Sequence, residues 1–375
     1  MRIKTYKQLY PQITSFDNLY YAYKGAARGK RGHGDVAAFE YDVDANLLLL
    51  QEELVNQTYR PGAYSNFYIY EPKPRLISAA PFRDRVVHHA LCQIIEPIFE
   101  RRFIFDSYAC RKGKGTHAAL ERAQEFARQY RYVLKLDLEH FFPTLDHAIL
   151  RAQLAHVIAD EATMHLIDQI LASGASIHRD IATPWFKDDD PSTGVELNSR
   201  SGEGLFAALR PHGLPIGNLT SQFWANVYLN PLDQFIKREL KCAAYVRYVD
   251  DLLLFANDKA VLHAWKRQAF AFAATLRQRF HENQAAVFPV TTGIPFLGWR
   301  MYPDHRRLKR RNGVQFARRL ARLCGQLERG EIPLERVAVS VNGWLAHVQH
   351  GDTWGLRRAL LSRVVMPRRG EAVAT

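Results

Sequence analysis

Asp250 and Asp251 stand side by side between two apolar runs, in the stretch YVRYVDDLLLF from Tyr245 to Phe255. Adjacent carboxylates repel each other and resist burial, so among β-branched and aromatic neighbours they persist where a divalent cation neutralises them. A third acid has the same setting: Asp137 ends the apolar run YVLKLD that starts at Tyr132, and Phe141 and Phe142 follow it closely. Three carboxylates on neighbouring strand ends can hold two Mg²⁺ ions. Ions roughly 4 Å apart clamp the attacking and leaving oxygens of an in-line phosphoryl displacement, so the expected chemistry is nucleotidyl transfer. Asp188, Asp189 and Asp190 lack this setting; Pro191, Ser192 and Gly194 follow them, and the stretch reads as a solvated loop.

The elements that must position these acids can be read from periodicity. Residues 1 to about 60 give two helical patterns, the second from Asp44 to Leu54. The stretch GAARGKRG between them, Gly25 to Gly32, is either a solvated turn or a backbone contact to nucleic acid. Residues 66–78 alternate as a strand pair around Pro72 and Pro74, and 84–100 read as a helix. A strand then reaches Asp137, helical segments run from about 147 to 172 and from Ser221 to about Phe235, and a hairpin carries Asp250 and Asp251. Helices interleaved with a central hairpin predict an α+β fold with an antiparallel sheet that brings Asp137 beside Asp250. Beyond Trp299 the chain turns basic, with Arg306, Arg307, Lys309, Arg310, Arg311, Arg318, Arg319 and Arg322 close together. Phe316, Leu320, Leu323 and Leu327 recur there at helical spacing, so one face packs while the arginines face outward. Two more helix patterns follow, after Pro333 and near Thr353, and Gly370 to Thr375 read as an untethered end.

A chain of 375 residues, 47% hydrophobic, can bury a core large enough for two or three compact subdomains. Its formal charge of +13 calls for a polyanionic partner, a nucleic acid or an anionic membrane. With no apolar run of roughly 18 residues and no signal-like N-terminus, nucleic acid in the cytoplasm is expected, and no membrane. Cys92, Cys110, Cys242 and Cys324 are too scattered for a metal site, and His88-His89 reads as part of a packed helix.

In chain order, KPRLIS (Lys73 to Ser78), PFRDRVV (Pro81 to Val87), DSYACRKGKG (Asp106 to Gly115), Asp137 to Asp146, Gly213 to Leu229, YVDD (Tyr248 to Asp251) and FLGW (Phe296 to Trp299) resemble the motifs of reverse transcriptases. The resemblance covers nearly all of the chain. Many retroviral and intron-encoded members have Gln-Gly where this chain has Ile216-Gly217, and end the motif in Ser-Pro where it has Ser221-Gln222. The segment GLPIGNLTSQ is similar to that of diversity-generating retroelements, whose reverse transcriptases copy a template RNA with frequent errors opposite adenine. Phage-defence and other bacterial reverse transcriptases, each with a different noncoding RNA, are the alternative.

The resemblance implies a right-hand polymerase: residues 1–130 as fingers with the first part of the palm, 131–300 as palm, and 301–375 as a basic helical thumb. It assigns catalysis to Asp137, Asp250 and Asp251, with the Leu138 carbonyl as a further ligand to two Mg²⁺ ions per site. Arg75, and then Lys73, would grip the incoming deoxynucleoside triphosphate, since a guanidinium offers a forked pair of donors. Phe142 matches the steric gate against a 2′-hydroxyl, with Phe141 on the core side. Gln222 would lie near the templating base, where a competing amide would blur correct and incorrect pairs. Arg111, Lys112, Lys114 and Gly217 are expected along the template, and Arg310, Arg318 and Arg322 on duplex phosphates. Many polymerases have a lysine late in the palm that protonates pyrophosphate; here Asn283 or Gln284 stands there and neither amide is an acid, so water or another residue such as Lys309 would have to serve, and the general acid is left unassigned. Expected partners are template RNA, the RNA/DNA duplex, dNTPs and a small basic accessory protein. No room is expected for an RNase H, maturase DNA-binding or endonuclease domain, so priming, RNA removal and integration would come from elsewhere.

Overall fold

The computed structural model describes residues 4–70, 74–175, 177 and 210–362. Lys73, the Asp188 to Asp190 run and Gly370 to Thr375 lie outside the described residues.

The N-terminal region holds four helices where the periodicity predicts two: α1 (Tyr10–Ile13), α2 (Phe16–Ala27), α3 (Gly34–Tyr41) and α4 (Val43–Val55). Ser15 separates the first two by capping α2, its hydroxyl accepting from the Asn18 amide at 3.4 Å. Gly25 belongs to α2 rather than to the basic loop. A Cβ at Gly25 would lie 2.9 Å from His89 Nδ1, so a glycine that locally argues for a break instead allows close helix packing. The hairpin of β1 (Ser65–Ile69) and β2 (Arg75–Ala79) follows, antiparallel as expected, with Ile69 opposite Arg75. The long helix α5 (Phe82–Glu100) comes next, and then α6 (Thr116–Gln129).

The central sheet has the order β4-β5-β3-β6 and every neighbouring pair is antiparallel. Its strands are β3 (Tyr132–Asp137), β4 (Tyr245–Tyr248), β5 (Asp251–Ala256) and β6 (Ala286–Pro289). Between β3 and β4 lie α7 (Phe141–Thr144), α8 (His147–Ala155), α9 (Glu161–Gly174) and α10 (Leu219–Gln234), and α11 (Lys259–Thr275) follows β5. Leu120, Ala123 and Phe126 of α6 pack with Val133, Val246, Leu253 and Phe255 in one core. Leu134, Leu136, Leu252 and Leu254 join the remaining helices in another. Because both faces are covered, β5 reads as an unbroken apolar run after Asp251 and β3 as one broken before Asp137 by Lys135 alone, and the carboxylates at their ends stand out.

After the sheet, β7 (Ile294–Phe296), β8 (Trp299–Met301) and β9 (Arg306–Leu308) form a small antiparallel sheet, and three helices follow: α12 (Arg310–Glu328), α13 (Leu334–Val348) and α14 (Trp354–Leu361). Arg306 and Arg307 therefore sit on a strand and not on the basic helix. Phe316, Leu320 and Leu323 pack against Val337 and Val341, and Phe316 stacks on Trp344 with centroids 4.1 Å apart. The mixture of helices and antiparallel sheets is the predicted α+β fold. Among the described residues, no helix is long and apolar enough to cross a membrane.

Candidate active site

Register builds the site. Asp137 at the end of β3 lies directly opposite Asp251 at the start of β5, and the Leu138 amide donates to the Asp250 carbonyl at 3.2 Å. Asp250 sits in the turn between β4 and β5, beside Val249, which has φ +55°. That region is rarely occupied by a β-branched residue. Burial, and then the Asp137 and Asp251 carboxylates, push the Asp250 pKa up to about 6. Lys135, missed from the sequence, lies two residues before Asp137 on the same strand face, with Nζ 2.9 Å from Asp251 Oδ1. Among the described residues no three His, Cys, Asp or Glu side chains converge as a ready-made cage. The donors nonetheless suit a hard divalent cation: they are oxygens, and the carboxylates of Asp137 and Asp251 repel the ionised form of Asp250.

The β1–β2 hairpin faces this cluster. Arg75 is exposed at the start of β2, and its charge opposes the upward shift of Asp250. Three bonds fix the hairpin to the Gly213–Asn218 loop: the Ser78 amide donates to the Ile216 carbonyl at 2.9 Å, the Ala80 amide to Asn218 Oδ1 at 3.2 Å, and Asn218 Nδ2 to the Ser78 carbonyl at 2.9 Å. Asn218 directly precedes α10, and its side chain makes no cap bond to that helix but serves this junction. Gly217 has φ +118°, and a Cβ there would lie 3.0 Å from Ile77 Cγ2. Gly217→Ala should therefore destabilise the protein by about 1–3 kcal/mol. Urea unfolding checks this, and an unchanged midpoint would show that the loop relaxes freely.

Phe141 is buried and Phe142 half-buried, with ring centroids 5.3 Å apart. The Phe142 carbonyl accepts from the Leu214 amide at 2.8 Å, which ties the ring's backbone to the same loop. Gln222 is exposed on the first turn of α10.

The expected template cations divide. Arg111 departs from the expectation: its side chain is 4% exposed, paired with Glu100 at 2.6 Å, and donates to the Ile104 and Ser107 carbonyls at 2.7 Å each. It secures the fold of the loop that carries it. Lys112 is exposed, whereas Lys114 donates to the Phe105 carbonyl at 3.0 Å with its ammonium over the Phe105 ring. Arg310, Arg318 and Arg322 are all exposed on α12. Lys309, just before that helix, keeps contact with solvent; packing around its ammonium and the charge of Lys135 lower its pKa, and Asp251 opposes them. Asn283 and Gln284 line a pocket of about 740 Å³ with Glu139 and His281. The His281 amide donates to the Asp137 carbonyl at 2.9 Å, so this pocket adjoins the acid cluster. His88 is buried in α5, where burial pushes its pKa down to about 3, as befits a packed neutral ring.

A family model described as reverse transcriptase (RNA-dependent DNA polymerase) matches residues 70–301. Protein YkfC of Escherichia coli K12 is 25% identical over 295 residues, covering 68% of this chain and 71% of YkfC. The group II intron-encoded protein LtrA of Lactococcus lactis is 24% identical over 240 residues, 62% of this chain and 36% of LtrA. Nuclear intron maturase 2 of Arabidopsis thaliana is 28% identical over 144 residues, 34% of this chain and 20% of the maturase. The matched segments thus span little more than a third of LtrA and a fifth of the maturase. A telomerase from Candida albicans, solved with a fragment of telomeric RNA, superposes with a TM-score of 0.41 at 11% identity, covering 82% of this chain and 58% of that one. The family match takes in more than half of the chain, from just after β1 through β2 to β8 with all three acids inside it, and the chain belongs to the reverse transcriptase family: it is an RNA-directed DNA polymerase.

Proposed function

We propose that Asp137, Asp250 and Asp251 carry nucleotidyl transfer, and that the chain is the error-prone reverse transcriptase of a diversity-generating retroelement. The meeting of the acids at one strand end supports the first part. The segment GLPIGNLTSQ, with Gln222 exposed on α10, supports the second. In this reading the three carboxylates and the Leu138 carbonyl hold Mg²⁺, which when bound supplies charge stabilisation at the phosphoryl oxygens. Arg75 presents a forked donor pair to the triphosphate, with Lys73 adding charge. Phe142 limits the space beneath the sugar. Template RNA, its DNA product and a small basic accessory protein complete the assembly, in the cytoplasm.

The carboxylates make cation binding measurable without turnover. Asp250 titrates near 6 in the folded chain against an ordinary 3.8, so its contribution to stability falls as pH rises through that window. A cation bound to the ionised cluster restores it. Mg²⁺ should therefore raise the unfolding temperature clearly at about pH 7.5 and little at about pH 5. Equal shifts at both pH values would contradict the assignment.

For the thumb, replacing Arg318 and Arg322 together with Ala should lower the salt slope of duplex binding by about two, one for each phosphate that is no longer neutralised. Anisotropy titrations across a salt series check this; an unchanged slope would put the duplex elsewhere. Copying one RNA template with the wild type and with Gln222→Pro tests the fidelity reading. Errors opposite adenine should fall in the variant, and unchanged spectra would remove Gln222 as their cause.

A further inference from the structure

We propose that Arg247 is a positioning residue for the reaction: one buried guanidinium, shared by Asp233, Ser107 and the Val249 carbonyl, holds the turn that presents Asp250. The proposal rests on the reading of Asp250 as a catalytic carboxylate.

Arg247 and Asp233 are both 0% exposed and 2.7 Å apart. Nε and Nη2 of Arg247 donate to the two Asp233 oxygens at 2.8 and 2.7 Å, the bidentate arrangement that fixes a guanidinium plane. Nη2 also donates to Ser107 Oγ at 3.2 Å, and the Tyr245 hydroxyl donates to Asp233 Oδ1 at 2.7 Å. The backbone is held as well: the Arg247 amide donates to the Asp106 carbonyl at 3.0 Å, and its carbonyl accepts from the Tyr108 amide at 2.9 Å. With the plane fixed, Nη1 is aimed at the Val249 carbonyl, 3.1 Å away. Val249 is the β-branched residue at φ +55°, and its carbonyl carbon is bonded to the Asp250 nitrogen.

A buried ion pair is a poor device for stability alone, since a well-packed apolar substitute is often as good; its better-attested use is to specify one arrangement. Here the specified arrangement is a strained turn, of the kind that persists only when its surroundings over-determine it. Asp233 on α10, Ser107 before α6 and the turn itself are joined through this single side chain. A lysine could keep the charge beside Asp233, but not the two-sided fork that reaches Val249 as well.

The test is pre-steady-state addition of one dNTP to a primed RNA template with Mg²⁺, comparing wild type, Arg247→Lys, Tyr59→Phe and Asp250→Asn. Tyr59 makes a buried hydrogen bond to Asp84 at 2.9 Å, so Tyr59→Phe controls for stability loss away from the turn. Arg247→Lys should retain its burst amplitude and its apparent dNTP affinity within about twofold, while its burst rate falls between about tenfold and a hundredfold, as expected for a misplaced reacting group. Tyr59→Phe should keep the wild-type rate. A folded Arg247→Lys with the wild-type burst rate, or with reduced amplitude and unchanged rate, overturns the proposal and makes Arg247 a purely structural residue. If that variant does not fold, Asp233→Asn replaces it, with the same split expected and an unchanged rate again overturning the proposal. Asp250→Asn reads the underlying site separately: activity there would refute the carboxylate assignment, whatever the Arg247 result.

Discussion

Asp250→Asn should cut Mg²⁺-dependent DNA synthesis on a primed RNA template by at least about a thousandfold, the scale of losing a preorganised charge at the reacting centre. The substitution keeps shape and removes charge. Asp250 is held near pKa 6 by burial and by the neighbouring Asp137 and Asp251 carboxylates, so its ionised form is destabilising in the chain without a cation. The amide relieves that repulsion. Without Mg²⁺ at neutral pH, the variant should unfold no more easily than the wild type, and at a somewhat higher temperature. Loss of activity together with unchanged or improved stability marks a group kept for function and not for the fold. Single-turnover extension and thermal unfolding on the same preparation decide it. Synthesis within tenfold of wild type, or a collapse of stability, would contradict the role given to Asp250.

Phe142→Val should weaken discrimination against ribonucleotides by about a hundredfold, while costing deoxynucleotide incorporation less than tenfold; a shape-based selection of this kind is worth about two orders of magnitude. The adjacent ring makes the contrast sharp. Phe141 is buried against Phe142 and Tyr228, with centroids 5.3 and 6.2 Å away, so the same change there should reduce stability and leave sugar choice alone. Competition between a dNTP and the matching rNTP on one template reads both variants. Equal discrimination in Phe142→Val and wild type would remove the ring from the sugar site.

The acids were legible because their context is so unlike them: a carboxylate after five residues of mostly apolar strand, and a pair inside a run of leucines and valines. The central hairpin, the Pro-flanked ribbon and the three C-terminal helices were legible for the same reason, since their periodicity changes at Pro, Gly or charged positions. What escaped depends on partners distant in sequence. Arg247 draws no reading inside its short apolar strand, and its burial is tolerable because Asp233 on α10 pairs with it. Arg111 sits in a run that reads as flexible and basic, but Glu100 at the end of α5 claims it. Gly25 argues locally for a break, and packing against His89 overrides that argument. Arg306 and Arg307 belong to a three-residue strand, too short for alternation to register beside the strong helical pattern that follows. Asn218 bridges the hairpin and the loop before α10 through Ser78 and Ala80, partners about 140 residues away in the chain.

The most direct measurement is deep sequencing of cDNA made by the purified chain from a primed RNA template with Mg²⁺, with errors tallied by template base. Full-length cDNA with errors concentrated opposite adenines is the predicted result, and it would support both the polymerase site and the diversity-generating assignment. Errors that are rare, or spread evenly over the four bases, would contradict that assignment and favour a bacterial reverse transcriptase serving another RNA.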